Sequence, residues 1–251
     1  MLAPLTTKMR CKGILRKPFL SFSYFLRVLG GADLSVLCPM YPIGPVGKVV
    51  RWMAENGAEE WQRETLDACG WLRRNHEGRQ FSIRRNDRGR IVLRTPAGRD
   101  IVVLLVERAT PQWYALDRHC YHVGYPLDGG DIEDIAVRIG SAEPLHLACI
   151  NCPLHNRIFD LRNGDLLSIS LPSTPTGVDP PAVVIGGRRD GGLPSTNGCH
   201  QRVHKISLRC IDTEEPHVVV EDSFESGGAR VPSDAYNGTG SGVSFKEFAD
   251  Q

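Results

Sequence analysis

The sequence predicts an all-β protein, an antiparallel sandwich or partly open barrel, with a short helical segment ahead of it. Three observations carry this reading. From Asn75 onward, short runs rich in Val, Ile, Leu and aromatic residues recur, each bounded by Gly, Pro, Asn or Asp. Brief turn signals join the runs where a parallel sheet would need crossover helices. Helical patterning is confined to one stretch, Gly47 to Asn75.

Taken in order, residues 38–47 hold Pro39, Pro42, Gly44, Pro45 and Gly47 and read as a linker. Ala58 to Arg74 has Glu59 and Glu60 in its first turn and Arg73 and Arg74 in its last, which suits the helix dipole. Trp61, Leu66, Ala68 and Leu72 supply its apolar face. Phe81–Arg85 and Arg90–Arg94 flank Asn86-Asp87-Arg88-Gly89, a hairpin signal. Ile101 to Val106 is apolar throughout, as a strand buried on both faces would be. Trp113 to Leu116 leads to Cys120, Leu145 to Ile150 leads to Cys152, and Ile158 to Leu161 leaves that second region. Phe159-Asp160 followed by Asn163-Gly164 reads as a strand entering a tight turn. Leu171 to His200 is rich in Pro, Gly, Ser and Thr and reads as an exposed insertion. Val203–Ile211 and His217–Glu221 form a closing hairpin.

Composition narrows the function classes. A net charge of +1 spread over 251 residues gives no basic excess for nucleic acid. Eight cysteines without regular spacing do not make a secreted disulfide framework and point to a reducing setting. No run reaches the roughly 18 apolar residues of a membrane span; Phe19 to Leu29 is short and contains Arg27. The first 32 residues carry Lys8, Arg10, Lys12, Arg16, Lys17 and Arg27 with no acid before Asp33, as a mitochondrial transit peptide or a plain basic extension would. The expected location is cytoplasmic or mitochondrial.

The chemistry lies in two pairs, Cys120-Tyr121-His122 and Cys152-Pro153-Leu154-His155. Two thiolates and two imidazoles from two loops match the ligand set of a Rieske [2Fe–2S] centre, in which two Cys bind one iron and two His the other. The flanking residues Gly124-Tyr125-Pro126-Leu127-Asp128-Gly129-Gly130-Asp131 and Asn156-Arg157-Ile158-Phe159-Asp160 let each loop bend closely around a cluster. With Asp131-Ile132-Glu133-Asp134, Gln201-Arg202-Val203-His204 and Ser233-Asp234-Ala235-Tyr236, this resembles the stand-alone Rieske-domain proteins, small ferredoxin-like electron carriers, over roughly residues 80 to 250.

The resemblance implies that Cys120, His122, Cys152 and His155 hold one [2Fe–2S] cluster on a Rieske-type β-sandwich or partly open barrel with a two-loop subdomain. Together with the readings above, it divides the chain into an extension and linker (1–45), a helical segment (46–76), the cluster domain (77–222, with insertions near 133–148 and 172–198) and a C-terminal tail (223–251). Two departures stand out. Between His122 and Cys152 lie 29 residues, more than most such domains have, and the excess, Glu133 to Ala148, reads as a surface excursion. Tyr125 and Leu154 stand where high-potential members carry a disulfide, and Asn156-Arg157 replaces their Gly-Ser. The resemblance therefore implies a potential near the low end of the Rieske range, about −150 mV.

Other readings use the same residues. Cys₂His₂ also suits a structural zinc ion in an interaction module, and Cys149 adds a C-x-x-C with Cys152. Cys149, His119 and His146 read better as structural residues than as ligands. A terminal oxygenase needs a further iron on two His and a carboxylate; His200 and His204 are close in sequence, but no carboxylate motif precedes them. No G-x-G-x-x-G follows a strand, so electrons must come from another protein. The leading expectation is a soluble, non-enzymatic carrier of single electrons between a reductase and an acceptor, or a component of a Rieske oxygenase system. An apolar rim of Tyr125, Pro126, Leu127, Pro153 and Leu154 would receive those partners.

Overall fold

The computed structural model describes residues 39–137, 145–167, 199–211, 214–225 and 227–237. Its larger part is an eight-stranded antiparallel sheet curled into a nearly closed barrel. In chain order these strands are β1 (Met40–Pro45), β2 (Leu72–His76), β3 (Arg79–Arg85), β4 (Ile91–Arg94), β5 (Asp100–Val106), β6 (Gln112–Asp117), β11 (Val203–Cys210) and β12 (Pro216–Glu221). They lie in the order β1-β12-β11-β6-β5-β4-β3-β2. A second sheet, in the order β10-β9-β8-β7, contains β7 (Ile132–Val137), β8 (Leu145–Asn151), β9 (Ile158–Asp160) and β10 (Leu166–Leu167). It carries the region between Cys120 and Gly164.

The uninterrupted apolar run in β5 has a direct cause. Ile101 and Val103 point into the barrel, with Tyr41, Ile43, Ile83, Leu93, Val218 and Val220. Val102 and Leu104 point the other way and pack with Leu116 against Ala148, Ile150 and Phe159 of the small sheet and against Leu127 and Leu161 beside it. Each buried Val, Leu, Ile or Phe among these contributes about 1.5–3 kcal/mol, so β5 and β6 weld the two sheets together. Helices α1 (Val46–Met53) and α2 (Gly57–Gln62) add Val49, Trp52 and Trp61 to the barrel core. The Trp52 and Trp61 rings meet edge to face, with centroids 5.1 Å apart.

Three expectations need correction. The helix expected over Ala58–Arg74 ends at Gln62, and Leu72–His76 pairs with β3 as a strand, so the 46–76 segment is not helical throughout. The linker expected at 38–47 contains β1, which pairs with β12 from Met40 to Pro45; an edge strand tolerates Pro42 and Pro45, and the register shifts between Pro42 and Gly44. The excursion expected from Glu133 to Ala148 is itself strand at both ends: 133–137 and 145–148 pair in a regular antiparallel ladder, with Ile132 opposite Ile150 and Val137 opposite Leu145. The basic N-terminus (1–32) and most of the 171–200 insertion lie outside the described residues.

Candidate metal centre

β6 delivers the chain to the first loop and β8 to the second, and the two loops share one backbone plan. Cys120 N–H donates to Tyr125 O at 2.9 Å, and Gly124 N–H donates to Cys120 O at 2.8 Å. Cys152 N–H donates to Arg157 O at 2.8 Å, and Asn156 N–H donates to Cys152 O at 2.9 Å. The residue that closes each turn has a left-handed backbone, φ +72° at Gly124 and +52° at Asn156, which Gly and Asn adopt at least cost. The turn after the second loop closes similarly at Gly164, with φ +75° and its N–H on Asp160 O at 2.8 Å.

This plan brings the four predicted residues together. Cys120 and Cys152 are fully buried and hydrogen-bonded to each other. As acceptor of that bond, and of the Leu154 and His155 N–H groups, Cys152 is held down to about 6. The same bond and burial push Cys120 up, so the pair holds one shared proton once Cys152 ionises. The rings of His122 and His155 lie 4.8 Å apart between centroids, with planes at 74°. His155 is exposed and His122 half-buried. Desolvation, then the charges of Arg157 and His155, hold His122 below the usual imidazole value, in the neutral form that binds metal. Its Nδ1 is buried and has no hydrogen-bond partner. A buried, unpartnered imidazole nitrogen in the same loop as one of two buried thiols is a donor set that fits iron–sulfur ligation.

The frame around the first loop comes from distant sequence. Gln201 and Asn237 hold its backbone: Gln201 Nε2 donates to Asp117 O at 2.8 Å and His119 O at 3.0 Å, and Asn237 Nδ2 donates to His119 O at 3.0 Å. Tyr236 Oη donates to His122 O at 3.1 Å. Beneath the loop, Asp117 is fully buried. It accepts from Arg99 at 2.6 Å and from Ser233 Oγ at 2.6 Å, and its Oδ1 lies 3.1 Å from His204 Nε2. Asp234 joins the network through Arg202 at 2.6 Å and Arg99 at 3.2 Å.

The other candidates take structural places. Cys149 is fully buried among Ile135, Leu147, Ile158 and Leu167, and burial pushes its thiol up to about 12. His119 bonds Asn237 Oδ1 at 3.0 Å, and His146 sits beside Asp134 at 3.3 Å. His204 belongs to the Asp117 network, while His200 packs against Tyr121 with ring centroids 4.8 Å apart and planes tilted by 59°. Of the expected apolar rim, Leu154 is 48 % exposed, but Leu127 is fully buried in the core between the sheets. Tyr236 and Asn237 show that the expected tail, 223–251, begins as part of the site. The side-chain roles of Gln201 and Asn237 have no direct signal in the sequence, because both act on loop backbone far away in the chain.

A β scaffold that projects two matched loops, each with one Cys and one His, defines a small iron–sulfur-type domain. Residues 76–210, just over half of the chain, match the model of the soluble Rieske-type ferredoxin family, and the chain belongs to that family. At the level of the family this carries a [2Fe–2S] centre and electron transfer with redox partners. No curated protein matches the chain. Among the described residues no helix is long and apolar enough to cross a membrane.

Proposed function

We propose that the chain carries single electrons on one [2Fe–2S] cluster held by Cys120 and Cys152 on one iron and by His122 and His155 on the other. The observation that carries this is that two matched loops bring together two buried thiols and two adjoining imidazoles, one of which has a buried, unpartnered Nδ1. When bound, the cluster supplies one-electron chemistry. The protein's own part is to exclude water from the sulfurs and to present the imidazoles at the surface. Pro153 and the exposed Leu154 beside His155 suit brief docking of a reductase and an acceptor protein.

A zinc-stabilised module is the second reading. Zinc requires its donors to converge tetrahedrally on one ion. The match to the soluble Rieske-type ferredoxin family favours the diiron unit. With Asn156-Arg157 after His155 and no second cysteine in either loop, few hydrogen bonds reach sulfur, which supports a potential at the low end of the Rieske range.

The test is chemical analysis of protein recovered after cluster assembly. About two iron and two acid-labile sulfide per chain, visible absorption and an electron-spin signal on reduction are expected. Colourless protein that holds one zinc and no sulfide would overturn the reading.

A further inference from the structure

Gln201 is fully buried, and its side-chain amide is committed to the stem of the first ligand loop. Its Oε1 accepts the Tyr121 N–H at 3.1 Å, and its Nε2 donates to Asp117 O at 2.8 Å and His119 O at 3.0 Å. Its own backbone N–H donates at 3.1 Å to Gly164 O, in the turn that leaves the second loop. One residue therefore joins the frames of both loops.

The bond to Tyr121 has a consequence for the sulfurs. Tyr121 directly follows Cys120, and the matching position after Cys152 is Pro153, which has no N–H. With the Tyr121 N–H engaged by Gln201, neither loop offers sulfur the N–H next to its cysteine. The remaining backbone donors are His122 N–H toward Cys120 and the Leu154 and His155 N–H groups toward Cys152. Hydrogen bonds to sulfur stabilise the extra negative charge of the reduced state and raise the potential. An N–H released this close to Cys120 would turn to sulfur, the most negative acceptor at hand.

We propose that Gln201 is a positioning residue that withholds the Tyr121 N–H from the cluster's sulfur, keeping the potential low, while it ties the first ligand loop to the second. This rests on the Rieske reading above and names a residue that tunes the site without ligating it.

The experiment compares assembled wild type, Gln201→Met and Gln201→Glu. Met has similar length and no strong acceptor, whereas Glu keeps an oxygen for Tyr121. Expected for Gln201→Met are wild-type iron and sulfide, a raised potential, shifted electron-spin g-values and at least tenfold faster amide exchange across Arg118–Tyr125. Gln201→Glu keeps its potential at or below wild type. Unchanged potential and spectrum in a fully loaded Gln201→Met, or a rise in both variants, overturns the proposal. Should Gln201→Met not fold, Tyr121→Pro decides: deleting an N–H that sulfur does not use leaves the potential unchanged, and a fall refutes the idea. Wild type without iron and sulfide would instead refute the Rieske reading.

Discussion

Gly124 and Asn156 occupy equivalent places in two loops of different sequence: each stands four residues after a cysteine, has positive φ and donates its N–H to that cysteine's carbonyl. They differ in room. A Cβ on Gly124 would lie 2.8 Å from Tyr236 Cδ1, so the first loop is closed over by the C-terminal segment. Gly124→Ala should therefore destabilise by about 2–3 kcal/mol, combining left-handed strain with a displaced Tyr236. Asn156→Gly should change stability by only a few tenths of a kcal/mol, and denaturant midpoints of the two variants check the asymmetry.

Replacing His155 with Cys should leave a cluster in place and lower its potential toward that of all-cysteine ferredoxins, because a neutral ligand gives way to a thiolate. A redox titration of the assembled variant reads this directly. An unchanged potential would remove His155 from the ligand set.

The Asp117 network makes stability depend on pH from both sides. Burial alone would lower His204, but hydrogen bonds to and charges of Asp117 and Asp222 outweigh it and leave it above 6.5. Its stabilisation is complete below that unfolded value and fades as pH rises through the higher folded value. Asp222 and Asp234 act oppositely. Burial raises them, while His204 and Arg99 for the one and Arg202 and Arg99 for the other bring them below 3.8, so their share is lost as pH falls through those depressed values. Stability should peak in mildly acidic to neutral solution. His204→Gln should flatten the alkaline decline, as read from denaturation midpoints across a pH series, and Asp117→Ala should cost about 3–5 kcal/mol by leaving Arg99 with Asp234 alone and removing the carboxylate partner of His204 Nε2.

The sequence made the site legible because its signal is local: Cys120 with His122, and Cys152 with His155, are each complete within four residues. The strands around it were legible for the same reason, and the β5 run even announced burial on both faces. What escaped depends on partners far away in the chain. β1 is a strand only because β12 supplies its hydrogen bonds, so Pro42, Gly44 and Pro45 read locally as a linker. Arg73 and Arg74 look like a helix end until Phe81 and Ser82 pair with them. Gln201 and Asn237 grip loop backbone, which leaves no mark in the sequence near Cys120.

Tyr236→Phe should remove one hydrogen bond to the His122 carbonyl at a cost of about 0.5–1.5 kcal/mol, with cluster content unchanged. Truncation after Val231 is harsher. It removes Ser233, Asp234, Tyr236 and Asn237 together and leaves Arg202 and the His119 carbonyl without those partners. Iron per chain should fall and the first loop should exchange its amides faster than the second; equal exchange would show that the C-terminal segment does not hold the loop.

Asp165 and Cys199 form a bridge, and Gly164 O accepts the N–H groups of both His200 and Gln201 at 3.1 Å. The described residues on either side of 168–198 are therefore held to each other at one place. Closing a long loop costs only about 0.6 kcal/mol more for each doubling of its length, so replacing residues 172–198 with a short Gly/Ser linker should slightly raise the melting temperature and leave iron and sulfide per chain intact. Loss of iron in that deletion would mean that the removed segment supports the site, against its reading as an insertion.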